Sequence, residues 1–87
     1  MKIAVWDTYV ERPNGERMHF DILVPSDLED KDQVYAFGEQ YLESKPFKTG
    51  ALDSKKCNFC HFENATAEVE TAILQKGYYI LEMENCL

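Results

Sequence analysis

Cys57, Cys60 and His61 are the residues whose types and spacing point most directly to chemistry. They stand together in the run Cys57-Asn58-Phe59-Cys60-His61, and a third cysteine, Cys86, lies far along the chain. Thiolate and imidazole are preferred ligands of zinc, and a two-residue gap between cysteines suits a tetrahedral knuckle. One reading is therefore a structural zinc held by Cys57, Cys60, His61 and Cys86, with His19 as an alternative fourth ligand. Two points oppose it. Zinc domains usually carry two such cysteine pairs, and adjacent Cys60 and His61 reach one ion only on a bent backbone. The same spacing also suits a thiol–disulfide pair, Cys57 with Cys60, but no helix starts directly behind it to lower the first thiol's pKa. Covalent haem attachment uses the same five-residue pattern, yet it requires export, and no charged-then-apolar leader opens the chain. The plainest reading is that the cysteines are small buried residues and that His61 hydrogen-bonds backbone.

A second constellation comes from the first two strands. Lys2 to Val10 is rich in β-formers, and Arg17 to Val24 alternates cleanly, with Met18, Phe20, Ile22 and Val24 on one side. Between them, Arg12-Pro13-Asn14-Gly15-Glu16 is hairpin punctuation. A two-residue Asn14-Gly15 turn would place Pro13 where a ladder N–H is needed and would set Arg12 against Arg17. A type I turn centred on Pro13 and Asn14, with Gly15 left-handed, avoids both and pairs Arg12 with Glu16. That register sets Val10 beside Met18, Thr8 beside Phe20, Trp6 beside Ile22 and Ala4 beside Val24, which is a core face. The opposite face then carries Val5 beside Leu23, Asp7 beside Asp21 and Tyr9 beside His19. Two carboxylates directly across a ladder repel and need an offset. An imidazole between carboxylates is a candidate general base, so a small hydrolase using His19 with Asp7 and Asp21 is a second class of function. No nucleophile or phosphate-binding glycine loop accompanies it. The bland alternative is a solvated face whose acids accept hydrogen bonds.

The rest of the chain must position these groups. Asp30 caps a helix that carries Val34, Phe37, Tyr41 and Leu42 at helical spacing and stops at Lys45-Pro46. Lys55 to Phe59 reads as a short strand. A second helix runs from about Ala65 to Lys76, capped by Asn64 or Thr66 and ended by a left-handed Gly77. Tyr78 to Met83 is the last strand. The expected fold is α+β, in the order β-β-α-β-α-β: a four-stranded mixed sheet with two helices packed on one face, forming a single domain over residues 1–87. A crossover helix between two strands of one sheet makes them parallel. On that premise Cys57, Cys60, His61 and Cys86 gather at one end of the sheet.

Composition narrows the function classes. Sixteen acids against nine bases give a formal charge of −7, which argues against a nucleic-acid or anionic-membrane partner, since both need a basic surface. No apolar run approaches the length of a bilayer span. The expected location is the cytoplasm, where cysteines are kept as thiols or metal ligands rather than disulfides. Nothing in the sequence fixes a partner or an oligomeric state.

The pieces Val5-Trp6-Asp7-Thr8-Tyr9-Val10, Met18-His19-Phe20-Asp21, Cys57-Asn58-Phe59-Cys60-His61, Gly77-Tyr78-Tyr79-Ile80 and Met83-Glu84-Asn85-Cys86 resemble a bacterial family of small proteins catalogued as a domain of unknown function, number two thousand and twenty-four in its series. The resemblance covers nearly the whole chain, apart from Glu43 to Ser54. It implies a compact α+β domain and no established activity. The sequence thus points to a binding or interaction module, with zinc at the Cys-His run as its candidate cofactor. The alternatives are a thiol–disulfide oxidoreductase through Cys57 and Cys60 and the hydrolase built on His19.

Overall fold

A computed structural model describes residues 1–87. Strands β1 (Lys2–Glu11) and β2 (Arg17–Pro25) form the central hairpin. Helix α1 (Lys31–Glu43), strand β3 (Cys57–Asn64), helix α2 (Ala67–Lys76) and strand β4 (Tyr79–Glu84) follow. The turn forms as its residues dictate. Gly15 has φ 88° and donates its N–H to Arg12 O at 2.9 Å, and Arg12 N–H reaches Glu16 O at 2.8 Å. The register is the one read from the sequence, with Ala4, Trp6, Thr8 and Val10 opposite Val24, Ile22, Phe20 and Met18.

The outer strands differ from expectation. The sheet order is β3-β1-β2-β4, and every pairing is antiparallel, so the sheet is not mixed. β3 ends opposite Lys2, and β4 begins opposite Leu23, so both ends of α2 connect at the end of the sheet away from the hairpin turn. A ten-residue helix is about 15 Å long, close to the width of three strand gaps, about 14 Å. α2 therefore crosses from one sheet edge to the other instead of running back along the strands. A helix that returns to the end it left from joins antiparallel strands.

The helices also lie on opposite faces rather than one. Val34 and Leu42 of α1 pack with Ala4, Trp6, Val10, Met18, Phe20, Ile22 and Val24. Val69 and Ile73 of α2 pack with Ile3, Val5 and Leu23 on the other side. On the α1 face, Gly38 lets Leu52 of the following loop come close; a Cβ at position 38 would stand 2.5 Å from Leu52 Cδ1. The caps act as their chemistry requires. Asp30 accepts from Asp32 N and Gln33 N, Thr66 accepts from Val69 N, and Gly77 ends α2 at φ 93°. No helix is long and apolar enough to cross a membrane.

Because α2 is short and crosswise, it covers only the half of its face distant from the turn. The half nearer the turn, carrying Asp7, Tyr9, His19 and Asp21, has no helix over it.

Candidate metal centre on the open half of the sheet

Asp7 and Asp21 are direct partners across the β1–β2 ladder, and His19 is the partner of Tyr9, one pair nearer the turn. Side chains two residues apart on one strand share a face. Asp7, His19 and Asp21 each offer a ligand atom, and these atoms all lie within 4.8 Å of one another. His19 Nε2 is 3.5 Å from Asp21 Oδ1 and 3.9 Å from Asp7 Oδ1. Both His19 Nε2 and Asp21 Oδ1 are shut off from solvent, and neither makes a hydrogen bond. Such atoms normally find a partner, because an unpaired buried polar group costs about 1–3 kcal/mol.

The imidazole is held from several sides. Tyr9 stacks on it with ring centroids 4.2 Å apart, and the Arg17 guanidinium lies over the far side of Tyr9 at 4.2 Å. Behind the strand, the Cys86 thiol donates to His19 O at 3.3 Å and Asn85 Nδ2 donates to Arg17 O at 2.7 Å, so the segment after β4 clamps this part of β2. Asp21 is 8% exposed. Burial pushes its carboxyl up to about 6, helped by the facing Asp7 carboxylate, while His19 and His61 pull the other way. The repulsion expected of facing carboxylates is therefore present and disfavours the Asp21 charge.

The four residues of the sequence-read zinc set are not brought together. Cys57 opens β3 opposite Thr8 and is buried in the α1-side core. Cys86 is buried on that same side, but past the end of β4 with its thiol on His19 O of β2, two strand gaps or about 10 Å from β3. Cys60 is exposed. It lies three residues along β3 from Cys57, about 10 Å in an extended chain, and alternation turns the two thiols to opposite faces. A disulfide needs Cα atoms within about 7 Å, and all three cysteines are free.

Cys60 and His61 nevertheless share a face with the cluster on the hairpin. The β1–β3 register shifts between Val5 and Trp6, so that Phe59 pairs with Trp6 and His61 with Val5, leaving Cys60 as the extra residue of a bulge. Without the bulge His61 would point to the α1 side. With it, both Cys60 and His61 face the same side as Asp7. The Cys60 thiol is pushed up first by loss of water and then by the Asp7 carboxylate. Cys60 Sγ is 3.2 Å from His61 Nδ1, and His61 Nε2 is 3.3 Å from Glu63 Oε1. Alternation and turn chemistry made the polar group on the hairpin legible. No sequence signal marks a bulge in a strand whose residues after Cys57 are all exposed.

The two principal concavities lie elsewhere. The larger, of about 600 Å³, sits between the end of α1 and the loop through Phe47 and Gly50, and it offers no cysteine, histidine or aspartate.

The sequence matches the family described as "Domain of unknown function (DUF2024)" over residues 1–83. The chain belongs to this family. The fold is similar to the NMR structure of protein NE1680 from Nitrosomonas europaea, a structural genomics target. The two are 40% identical over 100% of both chains, with a TM-score of 0.80. No curated protein matches the sequence. The DUF2024 fold is thus shared at full length with a solved relative, and the family description names no reaction.

Proposed function

We propose that this DUF2024 domain is a metal-binding module whose ligands are Asp7, His19 and Asp21. The observation that carries the reading is the pair of solvent-excluded, unpartnered atoms His19 Nε2 and Asp21 Oδ1, 3.5 Å apart, with Asp7 Oδ1 beside them. Ligands about 2.1 Å from a tetrahedral ion stand about 3.4 Å from one another. The His19–Asp21 spacing fits that edge, and Asp7 needs only a small rotation. A cation also offsets the two facing carboxylates. One imidazole with two carboxylates favours a first-row divalent ion over calcium or magnesium, whose sites are built of oxygen alone.

The test is equilibrium dialysis of Zn²⁺, Mn²⁺ and Ca²⁺ against wild type, Asp21→Asn and His19→Gln. Wild type should take up one Zn²⁺ per chain, and each variant should lose at least about tenfold in affinity. Zinc at a hundredfold excess over Kd should stabilise the fold by about 2.7 kcal/mol in urea. Wild type that takes up no zinc, or variants that bind as well as wild type, would sink the reading.

A further inference from the structure

Resting on that reading, we infer that the Cys60 thiolate is the fourth ligand and that it makes the centre zinc-selective. Alternation along β3 turns the Cys60 thiol to the metal-site face, on the strand that pairs with that of Asp7. Asp21, 8% exposed with Oδ1 unpartnered, supplies the buried end of the same site. Cys60 is exposed at the rim of that face, so its thiol is free to turn toward an ion held by Asp7, His19 and Asp21. Forming the metal–sulfur bond breaks S–H. His61 Nδ1, 3.2 Å from Sγ, takes that proton and passes it to water, while Glu63 accepts from Nε2. A soft thiolate added to imidazole and carboxylates selects Zn²⁺ or Co²⁺ over Mg²⁺, Ca²⁺ and Mn²⁺. Cys57 and Cys86 take no part, since both are buried on the α1 side.

Cobalt is the probe. Co²⁺ added to the reduced chain should give the thiolate-to-cobalt charge-transfer band in the near ultraviolet. Cys60→Ser should remove the band while Co²⁺ still binds through the other three donors, about 10–100-fold more weakly. Co²⁺ binding without the band, or a band that survives Cys60→Ser, would overturn the role of Cys60 and leave the three-donor centre standing. No Co²⁺ binding at all would remove both. A second readout needs no variant. Cys60 is the exposed cysteine, so iodoacetamide on the native chain reports it alone. Zn²⁺ should slow that alkylation at least tenfold and Mn²⁺ should not, and equal rates with and without Zn²⁺ would refute the ligation.

Discussion

Along β1 and β2, the residues on the α2 side change character between Val5 and Asp7 and between Leu23 and Asp21. Away from the turn, Ile3, Val5 and Leu23 lie under Val69 and Ile73 and are almost fully buried. Nearer the turn, the same two strands on the same face present Asp7, Tyr9, His19 and Asp21 with no helix above them. Backbone, register and pleat are shared by the two halves. The difference lies in what covers them, and that follows from a helix long enough to cross the sheet but not to run down it. The covered half supplies stability, at about 1.5–3 kcal/mol for each buried aliphatic side chain. The open half gives up such burial, and an acid is left in the ladder at a position where apolar residues would pack.

Exchanging the character of the halves should therefore produce unequal effects. Leu23→Asp puts an unpaired carboxylate beneath α2. It should cost on the order of 4 kcal/mol and leave the chain largely unfolded by far-ultraviolet circular dichroism. A smaller change, of opposite sign, is expected from Asp21→Asn on the open half. The Asp21 carboxyl is raised from its ordinary 3.8 to about 6 by burial and then by Asp7. The native state therefore holds the proton more tightly than the unfolded chain. The stability this contributes is complete below about pH 4 and is lost as pH rises through about 6. Metal-free Asp21→Asn should be more stable than wild type at pH 8 by about 1–2 kcal/mol, allowing for the water that reaches Asp7. At pH 4 it should match wild type, by urea denaturation at both pH values. A gain that does not depend on pH would mean that Asp21 stays ionised throughout.

Glu82 provides the internal control. On the α1 side it accepts hydrogen bonds from Tyr41 and, at 2.9 Å, from Lys45, and these two hold its carboxyl below the usual range. Its contribution is present above the ordinary carboxylate pKa and is lost as pH falls through the lowered value, opposite in sign to that of Asp21. Glu82→Gln should thus weaken the domain near neutrality by up to about 1 kcal/mol, with the loss shrinking in acid. About the same cost, about 1 kcal/mol at any pH, is expected from Thr66→Ala, which removes the cap of α2. Leu74→Lys, at a position 72% exposed on the outer side of α2, should change stability by less than about 0.5 kcal/mol. Urea midpoints rank all of these.

Much of the open half was legible before the fold. Pro13 and Gly15 allow one sensible turn, and alternation on β2 fixes which side is buried, so the facing of Asp7 with Asp21 and of Tyr9 with His19 follows from local chemistry. The outer strands were not legible in that way. A strand–helix–strand order implies parallel strands only when the helix runs back along the sheet, and sequence does not say that α2 crosses it instead. β3 is exposed on both sides after Cys57, so no apolar rhythm marks its length or its bulge. The Cys57, Cys60, His61 and Cys86 pattern misleads for the same reason. Its spacing fits a knuckle, but an extended strand sends Cys57 into the core and Cys60 to the opposite face.

The donors Asp7, His19 and Asp21 all come from one hairpin, and Cys60 of β3 joins them only once that strand has docked. Asp7 and Asp21 are joined by a short chain, and neither needs α1, β3, α2 or β4 to reach the other. The centre is thus of low contact order, set by a loop whose closure is fast and entropically cheap. A cation bound there would act on the hairpin before the outer strands dock, and its stabilisation should enter the folding limb of a chevron plot rather than the unfolding limb. Stopped-flow refolding with and without Zn²⁺ reads this directly. A faster folding arm with an unchanged unfolding arm would make the hairpin both the binding element and the nucleus on which the domain assembles.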